Sequence, residues 1–490
     1  MKKKSNIKKN FLYQIFYQIL ISLLPFVTSP YISRVLGATQ IGIYTYVYSI
    51  ITFFLLFANL GISNYGNRLV AKNRNNQDKL NIEFSSLYYL HLLLSFVVLF
   101  IYILFIVLFV DKNKMIFIVQ MIFIVANLLD ISWLFFGEED FKSTVLRNSF
   151  VKIINCILIF VLVKDSNDLI LYTIIMSLGT LLSQLILWPF AFKYISFVKV
   201  SFQEIFKHTK KMSVLFVATL AVSIYSYTDK IMLGSMSTMS QLGYYENAWK
   251  MIEFPVGFIT ALGTVMLPKM SNLVACREEK KLEKYITKSM RVSMLGAAII
   301  CFGLLSISSE FSVVFWGSKF AESGTIMKIM SICVVFMSWN GVIRSQYLIP
   351  TEKDKIYLIA VSISSIVNVI INFLLIPKIG AAGAAIGTVI SYFVIYMIQN
   401  YFVRKDLNEK MYIKMSIPYF AIGLLMFLVI TILNLFVEYS VLGMIFKIAI
   451  GGIVYISLLL IYNKLFKDDL INELLTVVLR KVFKNKAKKV

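Results

Sequence analysis

The chain has 490 residues, of which 59% are hydrophobic and only 15% are charged. A soluble domain of this size needs far less apolar surface, so the composition indicates a membrane protein. The net charge of +23 does not indicate a nucleic-acid partner, because the basic residues lie in alternate connections between apolar runs.

Apolar runs long enough to cross roughly 30 Å of hydrocarbon recur along the chain, as in "LLLSFVVLFIYILFIVLFV" at 92–110. Lipid cannot form hydrogen bonds with backbone N–H and C=O groups, so a span must pair these groups within itself or with other strands. The runs are too long and uniform for barrel strands, so helices are predicted. We therefore expect an all-α polytopic membrane protein with about 14 transmembrane helices, at 11–33, 41–62, 84–110, 115–136, 145–163, 168–192, 212–234, 245–268, 292–316, 324–346, 356–376, 380–402, 413–436 and 441–463.

Basic residues concentrate on one predicted side of the membrane. If the N-terminus is cytoplasmic, the inner segments hold five lysines in 2–9, four basic residues in 68–79, five in 193–211 and seven in 269–291. The outer connections hold about one each. By the positive-inside rule, both termini are predicted to be cytoplasmic.

Sequence signals of enzyme chemistry are missing. No connection between spans exceeds about 22 residues, which disfavours a membrane glycosyltransferase or polymerase. The chain has no G-x-x-x-x-G-K-[ST] loop, no H-E-x-x-H and no G-x-S-x-G motif. Its four cysteines are scattered, so no disulfide framework or metal site is expected. We predict no catalytic residue, no metal and no cofactor.

Three short motifs recur in order at nearly constant spacing. Gln40–Tyr44 matches Gln241–Tyr245 at an offset of 201, Ser132-Trp133 recurs 206 residues later, and "GTLLSQ" at 179 matches "GTVISY" 208 residues later. These echoes suggest a duplication of six spans. Because six is even, the copies would be parallel repeats that rock against each other around a substrate. The predicted domains are six-helix lobes at 1–196 and 197–411, helices 13 and 14 at 412–465, and a basic cytoplasmic tail at 466–490.

Four segments carry a resemblance to a known family. "SRVLGATQIGIYTY" at 33, "TDKIMLGSMSTMSQLGYYENAWK" at 228, "DISWLFFGEEDFK" at 130 and "GAAGAAIGTVISY" at 380 resemble the polysaccharide transporters. These are flippases of lipid-linked oligosaccharides, in the superfamily that also holds the MATE exporters and the lipid II flippase. The resemblance covers essentially the whole chain.

The resemblance implies a MATE-like, V-shaped pair of six-helix bundles around a central cavity, working by alternating access. It implies that an undecaprenyl-diphosphate-linked oligosaccharide moves from the inner to the outer leaflet of the bacterial cytoplasmic membrane. The repeat unit would belong to a capsule, an O-antigen or another cell-surface polymer, with a polysaccharide polymerase and assembly proteins as further partners.

Charged and polar side chains within the spans are the candidate site residues, because a charge at mid-membrane costs about 2.5–3.5 kcal/mol. Cations facing a cavity would attract a diphosphate, but several of them would equally reach an interface. Polar residues four apart share a helix face and would either line a sugar site or bond between helices. The candidates for substrate binding are Arg34, Lys230, Lys250, Lys328, Arg344, Gln14, Gln18, Asn368 and Asn372.

The carboxylates within the spans are the candidates for H⁺ or Na⁺ coupling, namely Asp130, Asp229 and Glu253. Asp130 lies at the same predicted depth as Lys152, so a structural salt bridge is the alternative. Lys250 and Glu253 are three apart and would be able to pair. His91, alone among apolar residues, is expected to be hydrogen-bonded rather than functional. The tail after Phe466 is expected to form an amphipathic helix on the inner surface.

We therefore expect a flippase. The first alternative is an ion-coupled, MATE-like exporter of small amphipathic compounds. An excess of intramembrane cations over carboxylates argues against cationic cargo. A membrane glycosyltransferase or polymerase is the second alternative.

Overall fold

The computed structural model describes residues 7–473, 475 and 476, with side chains outside 7–19, 21–22 and nine positions between 214 and 225. Every regular element in these ranges is helical. The helices, in chain order, are α1 Ile7–Asn59, α2 Ile62–Asn73, α3 Gln77–Phe109, α4 Lys114–Gln120, α5 Ile122–Leu128, α6 Ser132–Gly137, α7 Phe141–Leu162, α8 Leu169–Leu185, α9 Trp188–Ala191, α10 Phe202–Phe206, α11 Thr209–Met236, α12 Met239–Ala275, α13 Glu279–Phe311, α14 Ala321–Ser331, α15 Cys333–Ile343, α16 Asp354–Val403, α17 Glu409–Leu433 and α18 Val441–Phe466.

The chain folds into two compact units, Met1–Gly243 and Tyr244–Val490. The first unit holds α1 to α11 and the start of α12, and the second holds the rest of α12 through α18. These units are defined by packing. The lobes predicted at 1–196 and 197–411, and the separate pair of helices at 412–465, stay predictions.

The prediction of an all-helical, multi-pass membrane protein is confirmed. Ten helical segments of the described residues are long and apolar enough to cross a membrane, or eleven with the bent pair Ser318–Ser331 and Cys333–Leu348. Leu23–Asn73 has 51 residues and Asp354–Val403 has 50, whereas one crossing needs only about 20. Each of these two segments is therefore long enough for two crossings, and the number of 14 stays a prediction.

Both long segments contain a backbone break at a glycine. In α1 the break is at Gly37, with φ 78° and ψ 171°. In α16 it is at Ile379 and Gly380, where Gly380 has φ 55° and ψ −130°. Positive φ is disfavoured for residues with a Cβ, so glycine suits these positions. The breaks lie between predicted spans 1 and 2 and at the junction of predicted spans 11 and 12.

The echoed motifs at an offset of 201 contact each other reciprocally. A Cβ added at Gly42 would lie 1.8 Å from the carbonyl oxygen of Met239, and one added at Gly243 would lie 2.0 Å from that of Ala38. Ala38 and Met239 are themselves 201 residues apart. Reciprocal contacts of this kind, in which each residue's counterpart makes the matching contact, indicate a local two-fold axis. The contact supports the predicted duplication.

A buried ion pair joins α13 to α18 in the second unit. Lys447 Nζ lies 2.7 Å from Glu310 Oε2, and the two side chains are 0% and 2% exposed. Lys447 also donates to the carbonyl of Val437 at 2.9 Å. Neither residue is among the site residues predicted from the sequence.

The start of the C-terminal tail packs against the protein. Arg291 Nη2 of α13 lies 2.5 Å from Asp468 Oδ2, and Leu470 and Ile471 are buried. Ile471 packs with Tyr419 of α17. The first turns after α18 are thus part of the second unit, and most of the predicted amphipathic tail lies outside the described residues.

Candidate functional site

The first unit contains a cavity of about 610 Å³ between α1, α6, α7 and α8. Its wall combines apolar side chains with amides, hydroxyls and two cations. The described lining residues are Leu24, Pro25, Thr28, Ile32, Ser132, Phe136, Arg147, Asn148, Val151, Lys152, Asn155, Cys156, Ile159, Tyr172, Met176, Gly179, Thr180, Ser183 and Gln184.

Arg147 is held in a defined position at one end of α7. Its side chain is 7% exposed, and Nη1 donates to the carbonyl of Ser183 at 2.7 Å and to Gln184 Oε1 at 3.1 Å. Both partners belong to α8, and Ser183 Oγ in turn donates to Asn148 Oδ1 at 3.0 Å. The guanidinium is therefore orientated by two oxygens of α8.

Lys152 lies one and a half turns further along α7. It is half-buried, and within the described part of the chain its ammonium makes no hydrogen bond and no ion pair. Asn148, Lys152 and Asn155 follow at i, i+4 and i+7, which places them on one face of the helix. That face lines the cavity.

The described residues that line the cavity include two cations and no carboxylate. Charge is only weakly screened at membrane depth, so the cavity attracts anions. A guanidinium presents several N–H donors in a planar fork, and an ammonium adds a compact point charge. Together they match a phosphate or carboxylate group, whose oxygens accept charge-assisted hydrogen bonds.

The second unit contains the same pattern of helix contacts as this site, here called the frame, but neutral residues replace the two cations. A Cβ at Gly179 would lie 2.2 Å from Asn155 Nδ2, and one at Gly387 would lie 2.3 Å from Asn372 Oδ1. The Ser183 carbonyl is held by Arg147, whereas the equivalent Ser391 carbonyl accepts from Ser364 Oγ at 2.8 Å.

The two copies thus align with an offset of 217 for α7 against the first half of α16. In this alignment Arg147 corresponds to Ser364 and Lys152 to Val369. At these described positions, the cations occur in the first copy and neutral residues in the second.

The cations predicted from the sequence lie apart from this cavity's lining. Arg34, Lys328 and Arg344 are exposed, and the Arg344 guanidinium lies 4.1 Å from the ring centroid of Tyr357. Lys230 is half-buried, with Nζ 5.8 Å from the ring centroid of Tyr227.

Lys250 makes an ion pair with a carboxylate that the sequence analysis did not consider. Its Nζ lies 3.3 Å from Glu246 Oε1, one turn back along α12. Of the candidates for ion coupling, Glu253 is exposed on the same helix and Asp229 is buried on α11. Glu246 is itself buried, so it is the better shielded of the two carboxylates near Lys250.

The predicted polar stripes have different positions. Asn368 and Asn372 are buried in α16, and Asn372 Nδ2 donates to Asn368 Oδ1 at 3.1 Å. This bond lies within one helix, so the sugar-lining role and the interhelical bonding expected for these amides both stay predictions. The side chains of Gln14 and Gln18 lie outside the described residues.

Asp130 lies in the break between α5 and α6. Its Oδ1 accepts hydrogen bonds from the backbone N–H of Ser132, at 2.9 Å, and from the Ser132 hydroxyl. No ion pair between Asp130 and Lys152 occurs in the described part of the structure, so the salt bridge expected from their equal depth is not formed.

Arg147 and Lys152 are the residues that the sequence analysis missed as cavity cations. A usable signal is present in the sequence, because the candidates Asn368 and Asn372 form a polar stripe, four residues apart, on predicted span 11. Transferring that stripe to the matching span of the first copy would have pointed to the cavity-facing side of α7. The offset of 217, larger than the other echoes, hid the correspondence.

Residues 7–274 match the family model described as Polysaccharide biosynthesis protein. The chain belongs to this family. Among relatives, it is 24% identical over 368 residues to a Putative O-antigen transporter of Shigella dysenteriae, covering 74% of this chain and 91% of that protein. It is 23% identical over 408 residues to the Capsular polysaccharide biosynthesis protein CapF of Staphylococcus aureus, covering 81% and 99%.

Solved structures show the same fold as this family member. The Lipid II flippase MurJ in an inward closed conformation matches with a TM-score of 0.77 at 17% identity, covering 94% of this chain and 99% of that one. An inward-facing MATE multidrug transporter matches with a TM-score of 0.58 at 14% identity, covering 81% and 94%. The expected MATE-like fold is confirmed, and with the transporters among its relatives the chain is a membrane transporter rather than an enzyme.

Proposed function

We propose that this protein is a flippase that carries an undecaprenyl-diphosphate-linked oligosaccharide from the inner to the outer leaflet of a bacterial cytoplasmic membrane. The names of its relatives support a lipid-linked glycan as cargo. The observation that carries the proposal is the cavity of the first unit, with Arg147 and Lys152 in its wall and no carboxylate among the described lining residues. Both termini are cytoplasmic in this proposal, as the distribution of basic residues predicts.

The chemistry of the cavity fits the head group of such a cargo. A diphosphate that leaves water needs positive charge and hydrogen-bond donors. Lys152 supplies an ammonium that makes no hydrogen bond or ion pair within the described residues, and Arg147 supplies a guanidinium held by two oxygens of α8. Amides nearby, from Asn148, Asn155 and Gln184, suit the hydroxyl groups of a sugar. The polyprenyl chain would remain in the lipid while the cavity opens to each side in turn.

The cargo is tested by deleting the gene in its polymer-producing host and measuring lipid-linked oligosaccharide in each leaflet. We expect undecaprenyl-diphosphate oligosaccharide to accumulate in the inner leaflet. The intact gene and Lys152→Arg should reverse this, whereas Lys152→Ala should not. Lys112→Ala is the matched control, because it removes an exposed lysine of the same unit that does not line the cavity.

An unchanged lipid pool together with lost tolerance to toxic cations would contradict the flippase and favour the exporter. Full restoration by Lys152→Ala would keep the flippase and remove this cavity from its mechanism. The other cations, Arg34, Lys230, Lys250, Lys328 and Arg344, stay proposed contributors and are tested by the same assay.

Binding is tested through a cysteine that lines the cavity. Cys156 is half-buried there, and a small thiol reagent should alkylate it more slowly once undecaprenyl diphosphate is bound. Cys276, which is exposed in the second unit, serves as the internal control. Equal protection of both thiols, or of neither, would count against binding in this cavity.

A further inference from the structure

The connection between predicted spans 6 and 7, residues 192–211, exposes three phenylalanine rings. Phe192, Phe202 and Phe206 are 59%, 78% and 46% exposed. Phe202 and Phe206 are four residues apart in α10, so they share one face of that helix. Large apolar side chains are driven out of water, and an exposed apolar surface rimmed by polar residues marks a site that binds a membrane or another protein. The connection therefore has the features of a binding surface.

The connection is basic as well as apolar. It holds five lysines and one carboxylate, that of Glu204. Lys199, Lys210 and Lys211 are exposed, and none of the three makes a hydrogen bond or an ion pair with the residues that the structure describes. Their positive charge is therefore available to an anion outside the protein.

Two other charges of the connection are engaged within the protein. Lys207 Nζ lies 3.1 Å from Glu83 Oε1 of α3. Glu204 Oε2 accepts a hydrogen bond from the backbone N–H of Ser201 at 3.0 Å, and Ser201 Oγ accepts one from the backbone N–H of Glu204 at 3.3 Å. This reciprocal capping box begins α10 and occupies the one carboxylate of the connection.

Hydrogen bonds fix the middle of the connection to α3. The backbone N–H of Ser196 donates to Asn81 Oδ1 at 2.9 Å, and that of Val198 donates to Ser85 Oγ at 3.1 Å. Backbone groups of an irregular segment have no ladder or helix partners, so side chains that accept from them give the segment a defined path.

Ring contacts hold the same segment against the first unit. The Phe197 ring stacks on that of Trp188, with centroids 6.1 Å apart and an angle of 12° between the planes. His208 is buried, with Nδ1 2.9 Å from the Tyr65 hydroxyl and Nε2 2.8 Å from Ser86 Oγ. These inward-facing groups fix the connection in place, so the phenylalanines of α10 and the three exposed lysines form a preorganised outer surface.

We propose that this connection docks on the anionic lipids of the inner leaflet. Phe202 and Phe206 enter the head-group region, and Lys199, Lys210 and Lys211 bind lipid phosphates. An ammonium forms charge-assisted hydrogen bonds with phosphate oxygens, and its apolar stem lies along the lipid surface while the charge stays hydrated.

The position of the connection favours lipid over a protein partner. The candidate span Ser166–Ala191 ends directly before it, and the predicted span 212–234 begins directly after it, so both of its ends lie at the membrane surface. Segments that lie in the interface bind in proportion to their buried apolar area and their attraction to anionic lipid. Each lysine near such a surface strengthens binding by about fivefold.

This lipid surface goes beyond the proposed function, because neither the cavity nor the cargo takes part in it. The assignment to the inner leaflet follows from the positive-inside rule. The experiments below contain no lipid-linked oligosaccharide, so their failure would leave the proposed flippase and its Cys156 assay untouched, and failure of the flippase would leave the lipid surface in place.

Insertion is tested with a nitroxide label on full-length protein in nanodiscs of phosphatidylglycerol and phosphatidylcholine. Phe202→Cys or Phe206→Cys carries the label, in a background with the four native cysteines replaced by alanine, and thermal unfolding checks that each variant is folded. EPR relaxation by oxygen reports lipid, and relaxation by a water-soluble nickel complex reports water. We expect oxygen to dominate at both positions. A reference variant that keeps Cys276, exposed in the connection between α12 and α13, should be relaxed mainly by nickel.

Nickel access at positions 202 and 206 equal to that at Cys276 would overturn the insertion. The same labels are then measured in membranes of the native host. Protection from both oxygen and nickel there, but not in nanodiscs, would show that a protein covers this surface and would overturn the assignment to lipid.

The lysines are tested by the lipids that the protein retains. Native mass spectrometry of protein released from nanodiscs with equal amounts of the two lipids gives the ratio of bound phosphatidylglycerol to bound phosphatidylcholine. In the triple variant Lys199→Gln, Lys210→Gln and Lys211→Gln this ratio should fall, by up to about fivefold for each lysine. High salt should lower the wild-type ratio and have little effect on the variant.

The matched control removes the same charge elsewhere. Lys112, Lys114 and Lys319 are exposed lysines of predicted outer connections, and both leaflets of a nanodisc hold the same lipids. Their triple replacement by glutamine should leave the ratio close to that of wild type. An equal fall in both triple variants, or no fall in the first, would overturn the lipid contacts of the connection.

Discussion

The buried ion pair between Glu310 and Lys447 allows a quantitative prediction about what holds α18 to α13. Both side chains are essentially inaccessible, and the ammonium has a second bond, to the Val437 carbonyl. In Lys447→Met the apolar volume is kept, but Glu310 becomes a buried carboxylate without a counter-ion. Removing one partner of such a pair costs about 3–5 kcal/mol. Glu310→Gln strands the ammonium instead and should cost a similar amount.

The double variant Glu310→Gln with Lys447→Met should be much more stable than the sum of the single changes implies. Replacement of a whole buried pair by neutral groups is often neutral or stabilising by about 1–4 kcal/mol. The coupling energy should therefore be of the same order as the cost of either single change.

Unfolding by SDS in mixed bicelles, followed for all four proteins, measures this double-mutant cycle. Lys353→Met is the control. Its partner Asp406 is 2.8 Å away, but both side chains are 40% exposed, and exposed pairs contribute about 0–1 kcal/mol. Additive costs in the double variant, or single costs no larger than that of Lys353→Met, would refute the reasoning and would mean that the Glu310 pair is hydrated.

Three further predictions concern the first unit and its junction with α12. Gly243→Ala should destabilise the protein by about 1–3 kcal/mol or more, because the new Cβ meets the backbone of Ala38. Gly257→Ala on the same helix, where a Cβ has no neighbour within 4 Å, should be neutral or stabilising in the same thermal assay. The hydroxyl oxygens of Thr39 and Ser240 are 2.7 Å apart, so the double variant Thr39→Cys with Ser240→Cys should form a disulfide on mild oxidation, seen as a mobility shift. Transport should stop on oxidation and return only on reduction. Free thiols after oxidation would contradict the contact. Burial lowers the pKa of His208 from 6.5 to about 4, so between these pH values the unfolded state binds more protons than the folded state. The stability of the protein should therefore fall by up to about 3 kcal/mol as the pH drops through this window. His208→Gln should flatten this part of the stability profile, and an unchanged profile would show that His208 is hydrated.

The architecture was predictable where one physical signal dominates. Apolar runs near 20 residues predict spans because hydrocarbon thickness dictates their length. The breaks at Gly37 and Gly380 followed from the same signal, since each lies where one run ends and the next begins. The echo around Gly42 and Gly243 was visible because two backbones in close contact exclude a Cβ, which leaves glycine at matching positions.

The chemistry of the site was not predictable to the same degree. Depth along a helix suggested that Asp130 and Lys152 would pair, but pairing also depends on direction around the helix axis. The break between α5 and α6 changes that direction, and Asp130 bonds Ser132 instead. Similarly, Lys250 forms its ion pair with Glu246, four residues before it, rather than with Glu253, the partner expected from the sequence. A continuous helix was assumed at both places, and only the first assumption failed.

The two copies of the repeat differ where the cargo would be held. In each copy, an asparagine contacts a glycine of the following span. A second side chain on the asparagine's own helix donates a hydrogen bond to a serine carbonyl of that following span. In the first copy the anchor is Arg147 and the next turn carries Lys152, whereas the second copy has Ser364 and Val369 at these positions. The contacts that the copies share pack two helices together, and the residues that differ give the cavity of the first copy its positive charge. Among the described residues, cations at these matching positions occur in one copy, which suits a cargo whose single diphosphate binds there. If that inference is right, Val369→Lys, which would give the second copy a cation at the matching position, should create a second site for undecaprenyl diphosphate, and a binding stoichiometry that stays at one would contradict it.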